Sequence, residues 1–232
     1  MSFRFKQFYV DDSRCAMKVG TDGVLLGAWA ECGDGVCRLL DVGTGSGLVA
    51  LMLAQRNPYA HISAIDIDAN AIAQTSENFR NSLWNDRLEC TCIALQDYSS
   101  GKFDYIVSNP PFFNNSLKAP DAARSTARHT DTLSTADLFS HSARLLNDSG
   151  VFSLIVPAWD EDLVMQTAKQ YGFSLKRCCR VKGREEKPVK RLLLSFTKET
   201  KEQNVIEENL VLEEGINSRT AAYSLLAREF YL

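Results

Sequence analysis

The chain has 232 residues, 45% of them hydrophobic, enough to bury one sizeable core, so a single domain over 1–232 is the simplest count. No stretch approaches the roughly 20 consecutive apolar residues of a membrane helix, and the amino terminus alternates apolar and polar residues where a signal peptide would be continuous, which predicts a soluble, cytoplasmic protein without a membrane partner. The net charge is -3, and seven cysteines, an odd number without paired spacing, fit reduced thiols packed in a core better than disulfides or a metal site.

Along the chain, apolar runs of strand length alternate with segments of helical period, as a parallel sheet demands. Residues 1–35 precede the first strand as an extension. The pattern predicts strands at Arg38–Val42, His61–Ile65, Leu88–Ala94, Phe103–Ser108 and Val151–Val156. Helices are predicted at Leu48–Gln55, Ala69–Ser82, Thr135–Leu146 with Ser134 as cap, and Leu163–Tyr171. Ser174–Lys182 and Arg191–Thr197 read as a terminal hairpin. Cys90 and Cys92 share one face of the third strand, which favours packing over ligation. The result is an α/β, Rossmann-like architecture. Asn115–Asp131, small and polar without a period, is a long loop of the kind that tends to carry function.

Two motifs carry chemistry. Gly43-Thr44-Gly45-Ser46-Gly47 follows the first strand and opens a helix, where small residues let the backbone approach a ligand. A dinucleotide fingerprint would place its third glycine at position 48, which is Leu48, so the nicotinamide pattern is not met. Asp41 opens the motif. Asp66, ending the second strand, is placed for ribose hydroxyls or as a strand-end cap. Asp97 is placed for an adenine amine or as a turn residue. The second motif, Asn109-Pro110-Pro111-Phe112, sits at the carboxyl end of a buried strand, where open α/β sheets bind ligands. An exocyclic amine is a poor nucleophile because its lone pair is delocalised. The Asn109 side-chain oxygen and the Pro110 carbonyl can accept its two N–H bonds and stabilise the positive charge that grows on nitrogen. Two prolines stiffen the loop, and Phe112 can stack on the target ring. The pair of motifs points to methyl transfer onto nitrogen.

Asp41 to Gly47, Asp66 and Asn109 to Phe112 resemble the class I S-adenosylmethionine-dependent methyltransferases that modify exocyclic amines. Phe3-x-Phe5-Lys6-Gln7-Phe8, the segment Met17 to Trp29 and the closing Arg228-Glu229-Phe230-Tyr231-Leu232 narrow the resemblance to the bacterial tRNA1(Val) adenine N6-methyltransferase family. That likeness covers nearly the whole chain. It implies a seven-stranded, mostly parallel sheet with its last strand antiparallel, S-adenosyl-L-methionine as cofactor, and methylation of adenine 37 beside the anticodon. It also implies Gly43, Gly45 and Gly47 along the cofactor's methionine and ribose, Asp66 on the ribose, Asp97 on the adenine, and Asn109, Pro110 and Phe112 around the target base. Lys18, Thr21 and Asp22 match the family's upstream motif near the methionine end, and equally fit a capped helix packed on the sheet.

For the RNA, Arg124, Arg128 and the basic strip Lys176–Arg191 are candidate phosphate contacts. The strip also reads as a solvated hairpin edge. His129 is left without a role, since the chemistry needs no general base. The partner expected is a tRNA anticodon arm, bound by a monomer with no metal. The rivals are a ribosomal RNA guanine N2-methyltransferase, a protein glutamine N5-methyltransferase using the same tetrad, and an RNA-binding module without activity.

Overall fold

The predicted alternation of strands and helices assembles into one eight-stranded sheet covered on both faces. The computed structural model describes residues 2–33, 37–111, 133–198, 204–216 and 218–232. The strands are β1 (Ser2–Arg4), β2 (Tyr9–Asp11), β3 (Arg38–Val42), β4 (His61–Asp66), β5 (Leu88–Cys92), β6 (Phe103–Ser108), β7 (Leu146–Pro157), β8 (Ser174–Lys182), β9 (Val189–Thr197), β10 (Ile206–Val211), β11 (Glu213–Gly215) and β12 (Ser218–Arg219). The main sheet has the order β10-β8-β9-β7-β6-β3-β4-β5. Only β9 runs against its neighbours.

The helices are α1 (Thr21–Trp29), α2 (Leu48–Arg56), α3 (Ala69–Arg80), α4 (Thr135–Leu145), α5 (Glu161–Gln170) and α6 (Ala221–Leu226). Strands buried on both faces need continuous apolar runs, which is why Leu39-Leu40 and Ile106-Val107 are apolar at every position. Neighbouring residues then serve opposite layers. Leu39 belongs to the core layer that holds Phe5 and residues of α1 and α2, and Leu40 to the layer that holds Phe139 of α4 and Val164 of α5. Ser134 caps α4 as expected, its hydroxyl accepting from Asp137 N at 3.0 Å.

Seven of the eight strands make the sheet that the resemblance implies, with β8–β9 as the antiparallel hairpin. The eighth, β10, lies in the acidic stretch after Glu199 and pairs in parallel with β8. Its Glu208 receives two Arg177 nitrogens, each at 2.9 Å, and the Trp29 indole N–H at 2.7 Å. The acidic stretch thus neutralises part of the basic strip. Arg180 pairs with Glu161, Lys182 with Glu185, Arg184 with Glu213 and Arg191 with Asp22. Only Lys176, Lys187 and Lys190 of the strip have no ion pair among the described residues. Charge counting alone overstated its availability to phosphate.

Cys178 and Cys179 are buried on opposite faces, as core packing requires. Cys92 is exposed because β5 is the last strand of the sheet and is half covered, so the packing expectation fails there. All seven cysteines are free.

The extension before β3 returns to the glycine-loop side of the fold. Asn78 of α3 donates to the carbonyls of Asp11 and Ser46, each at 2.8 Å, and accepts from Asp11 N at 3.0 Å, so one amide ties β2 to the glycine loop. Gly47, the N-cap of α2, has φ +78°, and a Cβ there would lie 2.7 Å from Phe79 Cε1 and 3.1 Å from Thr75 Cγ2. Gly47→Ala therefore adds left-handed strain to overpacking against α3. It is expected to cost about 3 kcal/mol, a fall of about 6–12 °C in melting temperature, which thermal unfolding would measure.

Candidate methyl-transfer site

Strands β3, β4, β6 and β7 end at the same edge of the sheet, and β9 begins there. The glycine loop that leaves β3 is held from below. Gly43 N and Thr44 N donate to the Ile65 carbonyl at 2.9 and 3.0 Å. Gly45 N donates to Asp66 Oδ2 at 2.9 Å, and Thr75 Oγ1 donates to the Gly45 carbonyl at 2.7 Å. From above it is open. Gly43 and Gly45 have φ +71° and +58°, and a Cβ on either would meet no atom within 4 Å.

Two cavities of about 490 and 500 Å³ flank this loop. One runs between α1 and the β8–β9 turn, past Lys18, Thr21, Asp41, Lys182, Lys190 and Arg191. The other runs over the ends of β4 and β5, between the carboxylates of Asp66 and Asp97 and the apolar side chains of Ile67, Ile93, Leu95 and Leu133. Met17, Gly43, Gly45 and Asn109 line both. The two motifs found in the sequence therefore meet where the cavities meet.

Asn109 leaves β6 directly after Ser108, whose hydroxyl donates to the Val42 carbonyl at 2.9 Å and locks the strand end to β3. Among the described residues nothing engages the Asn109 amide. Pro110 is buried and Pro111, on the wall of the second cavity, is exposed. Phe112, Arg124, Arg128, His129 and the Asn115–Asp131 loop lie outside the described residues.

Other expectations divide. Asp66 and Asp97 face one cavity, and Asp41 and Thr21 the other. Gly47 lines neither, because its missing side chain is required by packing on Phe79. Lys18 lines the first cavity, but its ammonium donates to the carbonyls of Asp12, Cys15 and Ser13 at 2.7, 2.9 and 3.3 Å, closing the loop before α1. Asp22 accepts from Arg191 Nε at 2.8 Å. The upstream motif thus also does the structural work of fastening α1 to β9.

Asp41 is buried and accepts from Thr44 Oγ1 at 2.7 Å. Burial pushes its carboxyl up to about 7, against the hydrogen bonds from Thr44 and the Ala50 amide, and the nearby Asp66 charge adds to the rise. It lines the first cavity.

Sequence reasoning missed Met17, Ile67, Thr75 and Asn78. Ile67 is 58% exposed directly after Asp66, and an aliphatic residue leaving a buried strand beside an acidic one was the available signal. Thr75 and Asn78 act through α3 on a loop 30 residues away, which no local pattern announces.

The reversed β9 at one side of a parallel sheet, the glycine loop after β3 and the cavity over β4 and β5 define a class I S-adenosylmethionine-dependent methyltransferase fold. The family model for the methyltransferase small domain matches residues 34–159. A predicted O-methyltransferase from Agrobacterium tumefaciens superposes with a TM-score of 0.69 at 16% identity, over 90% of this chain and 96% of that one. A TehB-like SAM-dependent methyltransferase from Corynebacterium glutamicum gives 0.53 at 19%, over 78% and 89%. Sequence relatives are much nearer. The chain is 45% identical to the tRNA1(Val) (adenine(37)-N6)-methyltransferase of Bacteroides thetaiotaomicron and 42% identical to that of Christiangramia forsetii, in each case over 99% of this chain and 97% of the relative. The chain belongs to the tRNA1(Val) (adenine(37)-N6)-methyltransferase family.

Proposed function

We propose that this protein transfers a methyl group from S-adenosylmethionine to N6 of adenine 37 in tRNA1(Val), acting on the anticodon arm. The observation that carries this reading is the meeting of two cavities at Asn109, Gly43 and Gly45, one suited to a nucleoside and the other open toward basic residues.

The residues fit the cofactor. The open space over Gly43 and Gly45 is a cradle that any Cβ would fill. Each Asp66 oxygen already accepts one backbone N–H, from Gly45 and from Asp68, which fixes the carboxylate and leaves a lone pair on each for a hydroxyl. Ile67, Ile93 and Leu95 give apolar walls for a flat base, and Asp97 gives its edge an acceptor. Bound there, S-adenosylmethionine supplies an electrophilic methyl on a sulfonium centre.

The chain's own part is to present the nucleophile. Asn109 Oδ1 accepts from the target amine and localises its lone pair, and the Pro110 carbonyl accepts the second N–H. Both acceptors stabilise the charge that grows on nitrogen, and the proton is lost to solvent after transfer. The target adenine leaves its stack to reach this edge, and Phe112 is assigned its stacking face.

The test is transfer of labelled methyl from S-adenosylmethionine to tRNA lacking N6-methyladenosine, with nucleoside analysis of the product. Label in N6-methyladenosine at position 37 is expected. Label in N2-methylguanosine of ribosomal RNA, or in a protein glutamine, would move the activity to one of the rival substrates.

A further inference from the structure

Large apolar side chains exposed at the carboxyl edge of the sheet include Met17, Ile67 and Trp159. Met17 and Ile67 line the cavities already described. Trp159 lines neither and is 69% exposed, whereas Trp29 is buried and Trp84 half-buried. It stands on the 3-10 turn Ala158–Asp160 that follows β7, the strand beside β6 and its Asn109. The last residue of β7, Pro157, pairs with Arg191 of β9, which brings the turn beside Lys190.

Lys190 is exposed, has no ion pair among the described residues and lines the first cavity. Lys187 lies on the same β8–β9 turn, whereas Lys176, near the start of β8, sits at the far edge of the sheet. An exposed indole on a turn beside Lys190, whose ammonium has no ion pair among the described residues, next to a cavity that opens on Asn109, has the composition of a single-stranded RNA platform: a π-face for a base and a point charge for the adjoining phosphate.

We propose that Trp159 stacks an unpaired nucleotide neighbouring the target adenine, with Lys190 on the intervening phosphate. The inference rests on the RNA-methylating reading above and deepens it by placing the loop's path across β7 and β9. Glu186 and Asp162, both exposed nearby, limit the positive field, so stacking carries the contact and charge adds little.

The test compares wild type, Trp159→Ala, Trp159→Phe and Lys190→Ala for unmodified tRNA binding, steady-state methylation and S-adenosylmethionine binding. Trp159→Ala is expected to weaken tRNA binding and raise KM for tRNA by about 5- to 100-fold, with kcat at saturating tRNA, cofactor affinity and melting temperature unchanged. Trp159→Phe should recover most of the loss, and Lys190→Ala should reduce the salt slope of binding by about one. Unchanged tRNA affinity in Trp159→Ala would overturn the proposal. So would a loss that Phe does not recover or that follows cofactor affinity. Tryptophan emission separates the two readings. Quenching by tRNA that disappears in Trp159→Phe, in a protein that methylates no tRNA, would keep the platform and sink the activity, and methylation with no such quenching would do the reverse.

Discussion

Asn109→Ala is expected to lower turnover by about 100- to 1,000-fold, the range seen when one preorganised partner of a developing charge is removed, and to leave cofactor affinity within about twofold. The separation follows from where Asn109 sits. Its backbone is fixed by Ser108, buried and bonded to the Val42 carbonyl, and by the buried Pro110, so truncating the side chain does not move the loop. The side chain has no partner among the described residues, and the cavity it shares with Gly43 and Gly45 has its own polar groups in Asp66 and Asp97. The amine must therefore lose its acceptor while the cofactor keeps its own. Asn109→Asp, which retains an acceptor oxygen, should lose less than Asn109→Ala. Single-turnover rates with tRNA, set against calorimetric binding of S-adenosylmethionine, measure both quantities. A parallel fall in rate and cofactor affinity would place Asn109 on the cofactor instead of the target base.

How much of this was legible in the sequence depends on the range over which each feature is determined. Strands β3 and β6 were read to the residue because both faces are buried and the chain answers with unbroken apolar runs. The glycine loop and the tetrad announced themselves for the same local reason, since each needs particular residue types at consecutive positions. Strand β10 was not legible. Its Glu207, Glu208 and Asn209 suit a strand only because Arg177 and Trp29, far away in sequence, receive Glu208. The pairing of the basic strip was hidden for the complementary reason, as five of its eight charges meet Glu161, Glu185, Glu208, Glu213 and Asp22. Lys18 shows the limit of motif transfer. Its position on a cavity wall matches expectation, while its three carbonyl partners reveal a closing role that spacing does not disclose.

Asp41 gives the second large effect, in stability. Its carboxyl stands near 3.8 in the unfolded chain and about 7 in the folded one, so between these values the folded protein holds the extra proton. Stability from this group is then fully present below about pH 4 and lost as pH rises through about 7. The difference between the two limits corresponds to about 4 kcal/mol. Asp41→Asn removes that slope. The amide oxygen can still accept from Thr44, but the NH₂ faces the Ala50 amide, a pH-independent cost of about 1 kcal/mol. The variant is therefore expected to be about as stable as wild type near pH 4.5 and more stable above pH 8. Glu161, held below its usual range by hydrogen bonds from Arg180, has the opposite sign and weakens both proteins alike at low pH, so it cancels in the comparison. Urea unfolding of both proteins from pH 4.5 to 8.5 decides the point. Curves that stay parallel would mean that Asp41 is ionised throughout, its burial compensated by partners stronger than Thr44 and Ala50.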